Sequence, residues 1–399
     1  MTNYDLMLEI IRDEGMDYKW AKMFIKKFAD DEKEFPVSDE ERRWAMERGF
    51  FPGRIALYGL TESNYMEYVP DFNYFMLHPM NNHFLKWLDK TTLKYVLNSN
   101  GCESTMPEYY IYIENDGSYT YLMDCPSDIK KDEDFLTNLL KQKGILAMKP
   151  NSGTSGGFGF IKLELSDGVL LENNKLIDIK RLEQIKASMR NYIVTEYAHQ
   201  HPDLDEIWPD SECTLRVIMC KNPKGDPYAP ATWSCVVSYA RFGTAMSGGA
   251  SNLSSGGVGV GFNFSTGQYN DEGIRYRRFS EDANWLINRH PDTGVVWAGL
   301  SLPNWQYVKG KINDICQHIS SLDYLGLDII ITEDGMKLCE INSHPALDYE
   351  QVLNGPALMK DKVRDFFDYK GLRSFDGKAF YEAYVKSQDQ DCKHIRRDN

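Results

Sequence analysis

Residues 326–342 read Gly-Leu-Asp-Ile-Ile-Ile-Thr-Glu-Asp-Gly-Met-Lys-Leu-Cys-Glu-Ile-Asn, and this stretch decides the fold. A β-branched apolar arm ending at Thr332 meets Glu333-Asp334-Gly335, which reads as a three-residue hairpin turn with glycine at the left-handed position. A second arm runs from Met336 to Asn342. That turn sets Thr332 opposite Met336, Ile330 opposite Leu338 and Asp328 opposite Glu340. Strand alternation then brings Asp328, Glu340 and Asn342 to one face. Two carboxylates side by side repel unless a cation neutralises them, and an all-oxygen set suits Mg²⁺ better than zinc. The same pattern also describes an ordinary amphipathic hairpin with its polar residues in solvent. The rest of the chain separates the two readings.

Upstream, residues 145–149 (Ile-Leu-Ala-Met-Lys) read as a buried strand ending in Lys149, followed by Pro150-Asn151-Ser152-Gly153-Thr154-Ser155-Gly156-Gly157-Phe158-Gly159. Such a loop lets backbone N–H groups approach phosphate oxygens closely. It lacks the Gly-Lys-Ser/Thr of a P-loop and the dinucleotide glycine spacing, and strand follows it rather than helix, so the expectation is a hairpin lid. On its own it also reads as a flexible surface loop. Lys149 shifts the balance, because a lysine ending an apolar strand is costly to bury without an anion, and a nucleotide phosphate supplies one.

With 399 residues the chain is long enough for two or three subdomains, and a formal net charge of -14 argues against a nucleic-acid partner, which selects basic surfaces. The 8 cysteines show no Cys-x-x-Cys pair, so reduced structural thiols are expected. No segment approaches an apolar span of about 20 residues and the start lacks a secretory pattern, which leads to an expectation of a cytoplasmic protein with no membrane insertion. Residues 1–50 have helical periodicity with Trp20, Phe24, Ile25 and Phe28 on one stripe, and Ser38 with Glu41 forms a capping box. Residues 51–80, rich in aromatics and proline, suggest a small α/β layer. A helix is expected from His83 to near Gly101, another at 132–143, and strands at 108–114, 118–123, 192–196, 214–220, 232–240 and 258–264. The basic residues near the C-terminus read as a solvated tail.

Lysine strand, glycine lid and the Asp328…Glu340-x-Asn342 hairpin occur in one order, and together they resemble the ATP-grasp superfamily over roughly residues 85–355. The carboxylate spacing is similar to that of the carboxylate-amine ligases such as the D-alanine-D-alanine ligases. The resemblance implies an α+β ATP-grasp fold, two α/β subdomains with antiparallel sheets clasping ATP, behind a helical N-terminal region. It divides the chain into 1–84 (helical, with a small α/β part), 85–195 (first subdomain with the lid), 196–360 (second subdomain with the metal site) and 361–399 (helical tail).

It further implies that Lys90 and Lys149 contact ATP phosphates together with Ser152, Gly153, Thr154, Ser155, Gly156 and Gly157. Glu196 and the backbone near Ala198 would bind adenine, and Asp203 or Asp205 the ribose. Asp328, Glu340 and Asn342 would hold Mg²⁺, with Mn²⁺ as the alternative cation. Thr214-Leu215-Arg216 resembles the sugar-transfer-associated ATP-grasp branch, and the resemblance gives Arg216, Arg241 and Lys149 the catalytic roles. Arg216 would stabilise the transferring phosphoryl group, although by itself it also reads as a surface ion pair. Arg241-Phe242-Gly243 and the Gly/Ser stretch to Gly261, with Asn252, Ser254, Gly256 and Gly257, resemble that branch's loop and read as a substrate-side flap. His344-Pro345 would line the acceptor site. The implied activity joins a small-molecule carboxylate to an amine through an acyl phosphate, on a sugar acid or amino acid in surface-polysaccharide synthesis. A small-molecule kinase and a non-catalytic nucleotide-binding scaffold are the alternatives, and no motif speaks to the oligomeric state.

Overall fold

The computed structural model describes residues 4–81, 89–99, 101–152, 159–248, 250–280, 284–319 and 321–395, with side chains up to residue 388. Two sheets of seven strands organise it, and all their strand pairings are antiparallel. The first contains β1 (Tyr109–Ile113), β2 (Tyr119–Tyr121), β3 (Ile145–Pro150), β4 (Ile161–Ser166), β5 (Val169–Glu172), β6 (Lys175–Leu176) and β7 (Tyr192–Glu196), in the order β2-β1-β7-β3-β4-β5-β6. Leu146, Met148, Val194 and Ile111 point from one face onto helices Phe135–Lys143 and Ile179–Ser188. Alternation sends Lys149 and its neighbour Ile193 to the other face, and Ile193 packs into a core shared with the second sheet.

The second sheet contains β8 (Thr214–Lys221), β9 (Trp233–Phe242), β10 (Val258–Phe262), β11 (Tyr269–Arg275), β12 (Leu286–Ile287), β13 (Tyr324–Thr332) and β14 (Gly335–Asn342), in the order β12-β11-β10-β9-β8-β13-β14. Strand β13 is buried along its whole length, as its apolar sequence requires of a strand covered on both faces. Leu215, Val217, Leu325 and Leu327 meet Val308, Ile312 and Ile315 of helix Trp305–His318. From the opposite face Ile218, Val237 and Tyr324 meet Leu57, Tyr58 and Tyr74 of the N-terminal region.

The β13–β14 hairpin is formed, with one change of register. Glu333-Asp334 make the turn, Thr332 pairs with Gly335, and Ile330 pairs with Lys337 rather than Leu338. Cys339 is then an extra residue on β14, so Asp328 and Glu340 come back into opposition. Gly335 has φ +149, and a Cβ there would stand 3.0 Å from the Tyr307 ring.

Helices Tyr18–Glu34 and Asp39–Glu47 form as the aromatic stripe and the Ser38–Glu41 capping box require. Residues 51–80 carry short helices, Arg54–Tyr58 and Asp71–Met76, and no strand, which corrects the expected α/β layer. Their aromatic rings pack between helices instead of pairing across strands. The helix expected from His83 starts at Lys90, capped by Asp89, and ends at Leu97; residues 82–88 lie outside the described ones. The strand expected at 258–264 forms as β10, Val258–Phe262, so the expected flap ends before it, and Gly261 sits so close to helix Glu350–Asn354 that a Cβ would lie 2.0 Å from the Leu353 carbonyl oxygen.

Strands β11 and β12 and helices Ile179–Ser188 and Trp305–His318 were not foreseen, although Asp178 is a legible N-cap for the first of these helices. The tail does not stand apart. Phe380 and Tyr384 of helix Lys378–Ile395 join Phe24, Phe28, Phe51 and Phe72 in one core. Within this body the buried Arg54 bridges Asp31 at 3.1 Å and Asp71 at 2.9 Å, and the N–H groups of Gly53 and Phe51 complete those carboxylates.

Asn81 ties the base of the hairpin. Its Nδ2 donates to the carbonyls of Tyr324 (2.7 Å) and Ser343 (3.0 Å), and its Oδ1 accepts the N–H groups of Asp323 (2.8 Å) and Tyr324 (2.9 Å). Asn81→Ala leaves these buried backbone groups without partners. We expect a loss of about 2–4 kcal/mol in urea unfolding, and a loss under about 1 kcal/mol would contradict the clamp.

Candidate active site

The hairpin and its neighbours set charged side chains in a row across the second sheet. Glu340 on β14 opposes Asp328 on β13, Asp328 opposes Arg216 on β8, and Arg216 opposes Tyr239 on β9. Arg241, two residues along β9 from Tyr239, reaches diagonally into the row. The spacing of two along each strand is what keeps all of them on one face.

Asp328, 7% exposed, is held by two arginines. Arg216 grips it with a two-pronged contact, Nε to Oδ1 at 2.5 Å and Nη2 to Oδ2 at 3.1 Å, and Arg241 Nη2 adds a contact to Oδ1 at 3.1 Å. Burial pushes this carboxyl's pKa up, but Arg216 and then Arg241 outweigh burial and hold it at about 2. Arg241 also donates to the Asn252 side chain at 3.3 Å.

Glu340 is half-buried. Lys90 lies 3.4 Å from it, and Asn342 Nδ2 donates to it at 3.3 Å. Lys90 is placed by Asn151, at the end of β3: the Asn151 carbonyl accepts the Lys90 N–H (3.1 Å), and its side-chain oxygen accepts the N–H (3.0 Å) and hydroxyl (2.7 Å) of Thr91. Lys149 stands on the facing sheet. Burial lowers its pKa, reinforced by Lys90 and opposed by Cys339 and Glu340. Among the described residues its ammonium group has no hydrogen bond or ion pair. Lys90, Lys149, Arg216 and Arg241 thus confront Asp328 and Glu340, four cations against two carboxylates.

At the other end of the cleft, Glu196 pairs with Lys337 of β14 at 3.2 Å and accepts the Glu108 N–H at 2.9 Å. A cleft of about 640 Å³ opens here between the end of β7 and the hairpin turn, lined by Glu196, Tyr197, His199, Thr332 and Lys337. Ala198 is buried beside it. Asp203 lies on the exposed side of a short helix, 3.7 Å from His201, and does not line this cleft, while Asp205 is engaged by Gln200 at 2.7 Å. Ser152 is exposed and accepts from Asn191 at 3.3 Å. Gly153, Thr154, Ser155, Gly156 and Gly157 lie outside the described residues. His344 stacks on Trp20 at 4.8 Å inside the N-terminal helical body.

The structure therefore brings together Lys90, Lys149, Arg216, Arg241, Asp328, Glu340 and Asn342, and leaves Asp203 at a distance from them. Among the described residues no cluster of three or more His, Cys, Asp or Glu is arranged for a metal. The Asp328, Glu340 and Asn342 oxygens remain a donor set suited to a hard cation. Sequence reading missed Asn151, Lys337, Tyr239 and Glu350. Asn151 stands at the start of the glycine-rich stretch and the others on a strand or helix, and only the pairing of elements reveals what each one touches.

Lys149 on one antiparallel sheet, with Lys90 at the start of a neighbouring helix, faces an arginine–carboxylate row on the other sheet. A family model described as sugar-transfer associated ATP-grasp matches residues 73–365, and the chain belongs to that family. Its fold is the ATP-grasp fold, with a helical N-terminal region. No curated protein matches the chain. Solved structures similar to it include an ADP complex of N5-carboxyaminoimidazole ribonucleotide synthetase (11% identity, 74% of this chain and 54% of that chain, TM-score 0.35). A D-alanine–D-alanine ligase from Bacillus anthracis is similar at 12% identity (76% and 69%, TM-score 0.34), and an N5-carboxyaminoimidazole synthetase from Staphylococcus aureus at 10% (72% and 52%, TM-score 0.39). The chain spans about half the length of the first of these. The family assignment rests on the sequence match.

The two central charges should respond oppositely to removal. Asp328→Asn strips two buried guanidinium groups of their shared counter-charge and should cost about 3–5 kcal/mol in denaturant unfolding. Lys149→Met relieves an uncompensated charge and should leave stability unchanged or raised. Equal destabilisation by both would contradict this charge assignment.

Proposed function

We propose that the protein is an ATP- and Mg²⁺-dependent carboxylate–amine ligase that forms an amide through an acyl phosphate, acting on a sugar acid or amino acid in surface-polysaccharide synthesis. The observation that carries this reading is the excess of two positive charges in the cleft, with Lys149 facing it. Such an excess is destabilising in an empty protein and suits a bound triphosphate.

In this reading Lys90 and Lys149 hold the phosphates. Glu196 and Ala198 face the adenine edge, and Asp203, which does not line the cleft, is not given the ribose. Residues 85–195 and 196–360 are the two halves that close on the nucleotide. Asp328, Glu340 and Asn342 would hold Mg²⁺, which when bound neutralises phosphate charge and orients the leaving group. Arg216 and Arg241 carry more charge than Asp328 neutralises, and the surplus stabilises the phosphoryl group as it moves to the substrate carboxylate. Lys90 is released from Glu340 as the phosphates arrive, so the empty-state ion pair becomes two productive contacts. An amine then attacks the acyl phosphate. No side-chain nucleophile is required, because positioning and charge neutralisation lower the barrier.

The test is ³¹P NMR with Mg-ATP and a panel of sugar acids, amino acids and amines. ADP with stoichiometric free phosphate, dependent on both a carboxylate and an amine, is expected. A new phosphorylated metabolite with little free phosphate would make the protein a kinase instead. Glu340→Gln should abolish turnover with the fold retained by circular dichroism, and full activity in that variant would refute the metal assignment.

A further inference from the structure

Two arginines at the edge of the charged row have no task in the ligase reading, and the inference drawn from them rests on that reading, whose substrate class it narrows. Arg277 and Arg278 open the short turn Arg277–Phe279 that follows β11. The Arg277 guanidinium lies over the Phe35 ring, 5.4 Å from its centre, where helix Tyr18–Glu34 ends. The Arg278 guanidinium lies 4.9 Å from the ring centres of both Tyr276 and Phe279, and its Nη2 donates to the Ser254 carbonyl at 3.1 Å. Among the described residues neither arginine makes an ion pair. The chain has 59 acidic and 45 basic residues, so two neighbouring arginines held by rings and a carbonyl instead of by carboxylates are a local surplus of positive charge. Rings and one carbonyl restrain a planar guanidinium while leaving most of its five N–H donors unused.

The pair stands beside the row. Arg241 opposes Gly259 on β10, and Gly259 opposes Ile274 on β11. Tyr276, two residues past Ile274, is therefore on the face of the sheet that carries the row. Leu253 covers Gly259, where a Cβ would stand 3.3 Å from its side chain. On either side of Leu253, Asn252 accepts from Arg241 at 3.3 Å and Ser254 accepts from Arg278. One short turn of chain thus separates the Arg241 and Arg278 guanidinium groups. Tyr276 also stacks on Tyr349 at 4.3 Å, in the segment that follows Asn342. Arg278 is exposed and Arg277 half-buried, so both are open to a ligand that enters the row from this end.

We propose that Arg277 and Arg278 bind a second oxyanion of the carboxylate substrate, remote from the carboxylate that is activated at Arg216 and Arg241. The substrate class is then a sugar acid with two anionic groups, the second being a carboxylate or a phosphate. A guanidinium presents paired N–H donors that match either anion. No bond changes at the second group, and its charge is the same before and during phosphoryl transfer. Contacts to it therefore strengthen substrate and transition state equally, which lowers KM and leaves kcat in place.

The test uses the full-length protein with Mg-ATP, the same amines and three acids: galacturonate with one anionic group, digalacturonate with a second carboxylate, and 6-phosphogluconate with a phosphate. The unmodified protein should turn over at least one of the dianions with kcat/KM more than about tenfold above that for galacturonate. In the double variant Arg277→Gln with Arg278→Gln, KM for that dianion should rise about 10- to 100-fold with kcat within about twofold, while KM for galacturonate and for ATP stays within about twofold. Arg278→Lys, which keeps the charge and loses the fork, should show a smaller rise. The dianion that responds identifies the second group as carboxylate or phosphate. Equal use of all three acids, or a rise in KM that is the same for galacturonate, would overturn the proposal. Where none of the three is turned over, binding decides instead, and the ligase reading stands or falls separately on the wider panel. Arginine Nε–H resonances of ¹⁵N-labelled protein that are missing from the double variant should then shift with digalacturonate or 6-phosphogluconate and stay in place with galacturonate. No shift with either dianion at about 20 mM, above the millimolar range of a weak site, excludes the second oxyanion.

Discussion

The grip of Arg216 and Arg241 on Asp328 is the interaction on which the rest of the molecule depends. A carboxylate and two guanidinium groups have been taken out of water at the centre of a sheet, which is tolerable only where geometry and charge match closely. Asp328 can be held this way because β8 stands beside β13 and β9 beside β8, so three strands must pair in one register. Moving β13 by one residue would turn Asp328 into the apolar face with Leu327 and Ile329. The bulge at Cys339 gives β14 the same discipline: without it Glu340 would not oppose Asp328.

That charged face also explains the helical body formed by the two ends of the chain. One face of the second sheet is covered by helix Trp305–His318, and its other face passes from apolar residues such as Ile218 and Val237 to the charged row. The N-terminal helices cover the apolar portion, and the C-terminal helix completes their core. The cover brings its own ion pairs, Arg54 with Asp31 and Asp71 and Lys27 with Asp348, so its polar groups are matched internally. The arginines of the row stay available to the cleft.

Across that cleft the Lys90 helix is linked to the second sheet by Lys90 with Glu340, and the two sheets by Lys337 with Glu196. Both pairs are partly exposed, and contacts of this kind are individually weak. They hold the cleft without locking it. The cleft thus combines a rigid row of charges on one sheet with exchangeable partners at both of its ends.

The local sequence alone determined the β13–β14 hairpin, the strand that carries Lys149 and the Ser38–Glu41 cap, because alternation and capping act over a few residues, whereas Asp328 and Glu340 came into opposition through a tighter turn and the bulge at Cys339. The order of the motifs carried the family, since that order is a property of the chain. The tertiary structure decided what distance along the chain hides: that Asp328 faces two arginines, that Asn151 places Lys90, and that the last helix packs with the first ones. It also overruled the α/β reading of residues 51–80, whose aromatic rings found partners on other helices, and it showed the task of Gly261 in β10, the close approach of Leu353 from a helix far along the chain. Arg277 and Arg278 were illegible for the same reason. Two adjacent arginines in a short turn have no pattern, and their character comes from the rings and the carbonyl that the fold assembles around them.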